Sequence, residues 1–195
     1  MDENNASMEL PSLELLEGEL KKERYRESFG RAVRSTILSL LVVAAVAVLV
    51  AVLMLPVLEI YGSSMTPTLE EESVVLAIKN DKMDTGDVVA FYYNNKILVK
   101  RVIARPGDWV DITPDGTVYV NGVALDEPYI DAKAFGECDI ELPYQVPEGR
   151  YFVMGDHREV SVDSRSTTIG CISREQVVGR IILCVWPFGS IGVVR

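Results

Sequence analysis

The chain has 195 residues, 48% of them apolar, and a formal net charge of −10 at pH 7. That length supports one ordinary domain plus a smaller segment, and the apolar fraction excludes a wholly disordered chain. The acidic balance argues against nucleic acid as a partner, because a phosphate backbone is bound through Lys and Arg.

Residues 1–20 carry six acids, Asp2, Glu3, Glu9, Glu14, Glu17 and Glu19; then the sign changes at Lys21, Lys22, Arg24, Arg26, Arg31 and Arg34. Leu13 to Val33 reads equally well as an amphipathic helix or as a solvated charged tail. From Ile37 to Leu58 no residue is charged. At 1.5 Å per residue such a helix is about 33 Å long, enough to cross a hydrocarbon core of about 30 Å. Pro56 falls near its far end, where a helix break costs least. The basic flank predicts a cytoplasmic N-terminus with everything after the span outside. The expected division is a charged cytoplasmic tail over 1–34, a transmembrane helix over 35–58 and an extracytoplasmic domain over 59–195. A cleavable signal peptide competes, since Ala45-Val46-Ala47 is an A-x-A pattern. The apolar run continues past that site and the leading region exceeds a usual n-region, which favours an uncleaved anchor.

Residues 59–195 are rich in Val, Ile, Thr and Tyr. Turn signals punctuate them at Lys79-Asn80-Asp81, Asn94-Asn95, Pro106-Gly107-Asp108, Pro114-Asp115-Gly116 and Asn121-Gly122. Strands are predicted over Val74–Ile78, Asp87–Tyr93, Lys96–Ala104, Trp109–Ile112, Thr117–Val120, Arg150–Met154 and Val177–Val185. Asn121-Gly122 suits a type I′ hairpin turn, which needs two positive φ angles. The fold class is mainly β. Cys138, Cys171 and Cys184 show no C-x-x-C spacing and His157 is the single histidine, so neither a metal nor a cofactor is expected. A disulfide from Cys138 to Cys171 or to Cys184 stays open for an extracytoplasmic domain; small buried thiols are the plainer alternative.

One histidine and no G-x-S-x-G elbow leave little room for a Ser/His/Asp triad. A lysine can replace histidine as base if an apolar setting lowers its pKa from about 10.4 towards 7 or 8. Lys100 lies in Lys96-Ile97-Leu98-Val99-Lys100-Arg101-Val102-Ile103-Ala104. Period two puts it on one face with Leu98, Val102 and Ala104, and Arg101 on the other with Ile97, Val99 and Ile103. Taken alone, the commoner reading is a strand-end lysine that snorkels. Ser64 sits in Tyr61-Gly62-Ser63-Ser64-Met65-Thr66-Pro67-Thr68-Leu69, either a plain polar loop or an exposed turn presenting a hydroxyl. In Gly155-Asp156-His157-Arg158-Glu159-Val160-Ser161-Val162-Asp163-Ser164-Arg165, Asp163 and Arg165 can clamp a loop by an ion pair and Ser161 can orient an amine.

In this order the segments resemble the bacterial type I signal peptidases, a membrane-anchored Ser/Lys protease family. Ser64 to Leu69 is similar to its S-M-x-P-T-L box, Gly86-Asp87-Val88-Val89 to G-D-[IV]-V, and Lys100-Arg101-Val102 with Pro106-Gly107-Asp108 to K-R-V…P-G-D. Gly155 to Arg165 is similar to G-D-N-R-x-x-S-x-D-S-R. The resemblance implies a signal-peptidase-like β domain after one N-terminal transmembrane helix. It implies Ser64 as nucleophile, Lys100 as general base, Ser161 as the hydroxyl holding Lys100, and Asp163 with Arg165 as a supporting ion pair. The implied substrates are secretory preproteins with small residues at −1 and −3. The implied setting is a bacterial cell membrane, with the lipid bilayer as partner and a monomeric enzyme.

The chain departs from the family at three places. Gly62 stands where some members place a second oxyanion donor, His157 replaces the usual Asn, and Ala124 to Val146 holds no recognisable box, so Ala132 to Leu142 reads as a variable loop. Trp186 and Phe188 suit either a membrane interface or core packing. A self-cleaving repressor-type regulator is opposed by the span, and a penicillin-type acyltransferase by the 36 positions between Ser64 and Lys100. A catalytically weak assembly module of the same fold, serving surface-fibre proteins, is the alternative from a different class.

Overall fold

The computed structural model describes residues 13–79 and 82–194. Asp2, Glu3 and Glu9, and the Asn80-Asp81 part of one predicted turn, lie outside the described residues. The chain divides into two compact units, 1–50 and 51–195.

Helix α1, Leu13–Met54, is a single stretch of 42 residues. The charged segment from Leu13 to Val33 is therefore helical and continuous with the apolar run. Its Glu17–Val50 portion is long and apolar enough to cross a membrane, and it buries none of its most apolar window within the protein. The helix stops before Pro56, which has no N–H to continue it. Val57 and Leu58, counted in the span from sequence, instead form strand β1 (Val57–Glu59) and pair with Leu76 and Val75. The uncharged run is thus shared between a helix and a sheet, because the sheet edge at Val74–Ile78 offers hydrogen-bond partners to its last residues.

The second unit is built on two antiparallel sheets. The larger contains β1, β2 (Val74–Ile78), β3 (Val88–Tyr93), β4 (Lys96–Ala104), β9 (Arg150–Met154), β10 (Ile172–Ser173), β11 (Val177–Trp186) and β12 (Gly192–Val193). Its order is β1-β2-β11-β3-β4-β9-β10, with β12 also on β11. The smaller sheet has β5 (Trp109–Ile112), β6 (Val118–Val120), β7 (Val123–Ala124) and β8 (Tyr144–Gln145) in the order β7-β6-β5-β8. Asn121 and Gly122, at φ 53° and 79°, close the β6–β7 hairpin with the two positive φ angles that its turn needs.

Apolar alternation places cores on both faces of the central strands. Val88 packs with Ile60, Met65, Leu69, Val75 and Ile181, while Val89 and Phe91 pack with Val102, Val153 and Ile172. A third cluster of Ile103, Val110, Val118, Val146 and Phe152 joins the smaller sheet to β9. In β4 the expected alternation holds for Leu98 and Val102 and fails beyond them. A register shift against β9 between Val102 and Ala104 sends both Ile103 and Ala104 into the third cluster. Trp186 and Phe188 are not core residues: they are 47% and 77% exposed and stack edge to face at 4.8 Å.

Candidate active site

Ser64 lies on a turn between β1 and β2. Met65 and Leu69, each 1% exposed, hold that turn by burying their side chains in the cluster beneath it. Full burial of each stabilises the turn by about 2 kcal/mol, while Ser64, just ahead of Met65, stays only partly buried. Thr66 N–H and Thr66 Oγ1 both donate to Ser63 O, at 3.2 and 2.8 Å, and fold the backbone back on itself.

Lys100 comes from the middle of β4, opposite Val89 of β3. Its Nζ lies 2.7 Å from Ser64 Oγ. The residue is only 4% exposed, and burial pulls the amine down from 10.5 to about 8. The charges around it partly offset one another: Asp163 and Asp156 favour the ammonium and Arg165 opposes it. When the amine is charged it donates to Oγ; when neutral, its lone pair can accept the hydroxyl proton.

Asp163 and Arg165 are both fully buried and form a bidentate pair, Nε to Oδ1 and Nη2 to Oδ2, each 2.9 Å. Arg165 also donates to the carbonyls of Phe135, Arg158 and Ser161, and Asp163 Oδ2 accepts from Gly155 N–H at 3.0 Å. Ser161 is 1% exposed. Its Oγ makes no hydrogen bond among the described residues, so the contact expected between Ser161 and Lys100 is not formed in this structure. The hydroxyl is nonetheless at the site: the place where a Cβ on Gly155 would stand is bounded by Ser161 Oγ and Ser64 O.

Several residues that hold this arrangement were not apparent from sequence. Arg101, next to Lys100, is fully buried and grips Asp156 through two bonds of 2.8 and 2.6 Å, while Thr68 Oγ1 donates to the same carboxylate. The Tyr129 ring lies 3.8 Å from the Arg101 guanidinium, and the Tyr129 hydroxyl donates to Glu127, which forms a buried ion pair with Arg158. The segment that lacked a recognisable box thus supplies Glu127, Tyr129 and the Phe135 carbonyl. No signal could have shown this, since a lone Glu or Tyr in a loop has no periodicity and its partners are remote. Cys138, Cys171 and Cys184 are free thiols, and burial pushes the Cys171 thiol up to about 11. No group of three or more metal-ligating side chains occurs among the described residues.

A cleft of about 770 Å³ runs beside the pair. Ser64 and Lys100 border it with Leu58, Ile60, Met65, Ile97, Leu98 and Val99. β9 pairs only with Arg101, Val102 and Ala104 of β4, so the same edge from Lys96 to Lys100 has no described strand beside it.

The family model for signal peptidase, peptidase S26, matches residues 33–186. The chain belongs to that family. Among curated signal peptidases it is 39% identical over 151 residues to signal peptidase IB of Staphylococcus aureus (strain Mu50 / ATCC 700699), covering 67% of this chain and 78% of the relative. To signal peptidase I of Bacillus licheniformis it is 37% identical over 146 residues, covering 67% and 76%. A crystal structure of a signal peptidase I from Enterococcus faecalis V583 aligns with a TM-score of 0.43 and 32% identity, over 51% of this chain and 96% of that one. The chain has the mainly β domain and the apolar N-terminal helix expected from its sequence.

Proposed function

We propose that this protein is a membrane-bound serine endopeptidase that removes signal peptides from secretory preproteins after small residues, with Ser64 as nucleophile and Lys100 as general base. The observation that carries this reading is the 2.7 Å approach of a buried, pKa-lowered amine to a hydroxyl on an anchored turn.

Neutral Lys100 Nζ takes the Ser64 proton as Oγ attacks the scissile carbonyl carbon. The ammonium then protonates the leaving amine as the C–N bond breaks, and the amine regenerated by that transfer deprotonates the water that releases the acyl group from Oγ. The backbone N–H of Ser64 meets the developing oxyanion. Ser161 Oγ, buried with unused bonding capacity beside Ser64 O, is assigned to hold the amine during these transfers. Asp163 and Arg165 fix the strap that carries Ser161. The unpaired Lys96–Lys100 edge suits a substrate in extended form, bound as an added strand with its small side chains turned into the apolar cleft. α1 anchors the enzyme as a monomer in the bacterial cell membrane, with its basic flank cytoplasmic and residues 59–195 outside.

The test compares full-length wild type, Ser64→Ala and Lys100→Met in detergent on preprotein substrates. Both variants lose cleavage; variants as active as wild type reject the dyad. A wild type silent on several preproteins favours the assembly-module alternative. A protease-protection assay that finds the C-terminus inside the cell overturns the orientation.

A further inference from the structure

His157 stands beside the nucleophile turn, yet the reaction above gives it no task. Its backbone N–H donates to Ser64 O at 3.1 Å, and its ring Nδ1 lies 3.0 Å from Thr66 Oγ1. Its own carbonyl accepts from Ser161 N–H at 3.1 Å. One residue therefore joins the turn bearing Ser64 to the strap bearing Ser161.

Ser64 is flanked by two peptide planes. The Ser63–Ser64 plane contains Ser63 O and, trans to it, the Ser64 N–H; a group that fixes the oxygen fixes the direction of the N–H. Thr66 holds that oxygen through its own N–H and through its hydroxyl. The Ser64–Met65 plane contains Ser64 O, which His157 N–H holds directly. Because the Thr66 hydroxyl proton is directed to Ser63 O, the oxygen offers His157 only a lone pair, so the proton in the Thr66–His157 bond belongs to Nδ1.

We propose that His157 is a positioning residue for the nucleophile: its backbone N–H and its Nδ1–H lock the two peptide planes around Ser64, aiming the Ser64 amide at the oxyanion and the hydroxyl at Lys100. This rests on the Ser64 and Lys100 assignment. Misplacement of reacting atoms by a fraction of an ångström to an ångström lowers turnover by on the order of 10- to 100-fold, so the ring acts on kcat far more than on KM. Substitution leaves the backbone bond in place and isolates the ring. Asn carries a donor at the same δ position, whereas Gln carries it one bond further out.

His157 is the only histidine in the chain. A full-length protein prepared without a histidine tag and labelled with 15N-histidine thus reports on this ring alone. At about pH 9, where an ordinary imidazole is neutral, the spectrum shows protonated Nδ1 and unprotonated Nε2; the opposite tautomer overturns the proposal. That readout needs no turnover, so it stands apart from any failure of the dyad. On a synthetic signal peptide with Ala at −1 and −3, kcat of His157→Gln falls about 10-fold or more, His157→Asn recovers most of that loss, and KM shifts little. Thr66→Val lowers kcat similarly, and the double variant Thr66→Val/His157→Gln falls no further than either single one. Equal rates for Gln and Asn, or additive losses, refute the clamp.

Discussion

Lys100 Nζ lies 2.7 Å from Ser64 Oγ, although 36 positions of chain separate the two residues. Because burial lowers the amine to about 8, about a tenth of it is neutral at pH 7. Cleavage by wild type therefore rises with pH through an inflection near 8, read from kcat/KM on a peptide substrate. A profile flat from pH 6 to 10 removes Lys100 as the base.

The same shift sets a stability window. The folded pKa, about 8, lies below the 10.5 of an unburied lysine, so between these pH values the unfolded chain binds more protons and stability rises with pH. Below about pH 8 the full penalty applies. Lys100→Met abolishes it and raises stability at pH 7 by up to about 3 kcal/mol, measured as the urea midpoint in detergent. Above about pH 10 wild type and variant converge.

Asp163 and Arg165 act on Lys100 in opposite senses, Asp163 raising and Arg165 lowering its pKa. Asp163→Asn moves the pH–rate inflection to lower pH and Arg165→Met moves it to higher pH. Each single variant also loses about 3–5 kcal/mol, because a buried charge is left without its partner. The double variant loses less than the sum. Rate profiles on the folded fraction separate the two effects.

Gly155 passes so close to the site that an added Cβ would press against Ser161 Oγ and lie 2.5 Å from Ser64 O. Gly155→Ala costs about 1–3 kcal/mol of stability by overpacking and lowers kcat on the order of 100-fold by displacing the turn. Kinetics beside thermal unfolding show whether the loss of rate outruns the loss of fold.

Val43 and Val46 are exposed on α1. Arginine at both positions adds about 2.5–3.5 kcal/mol each to the free energy of membrane insertion. The double variant is extracted by alkaline carbonate while wild type stays with the membrane.

Features whose cause is local were legible in the amino-acid sequence. The uncharged run predicted a membrane-length helix, and period-two patterning found Val74–Ile78, Lys96–Ala104, Trp109–Ile112 and Arg150–Met154 at the bounds they have in the structure. Strands of two residues, Val123–Ala124, Tyr144–Gln145, Ile172–Ser173 and Gly192–Val193, were not legible, because so short a stretch has no period and exists only through its partner. For the same reason Leu58 was read with the helix it follows instead of the strand it pairs with.

The motif boxes named Ser64, Lys100, Ser161, Asp163 and Arg165 as candidates, but only the tertiary structure decided what stands next to what. Patterning suggested that one of Lys100 and Arg101 faces apolar neighbours, yet both are buried, since Asp156 and Tyr129, remote in the chain, neutralise and cover Arg101. The close approach at Gly155 and the grip of His157 on Thr66 are likewise invisible in one dimension. Apolar periodicity needs only neighbouring residues to be read, whereas a buried charge or hydroxyl takes its state from partners that folding alone brings within hydrogen-bonding distance.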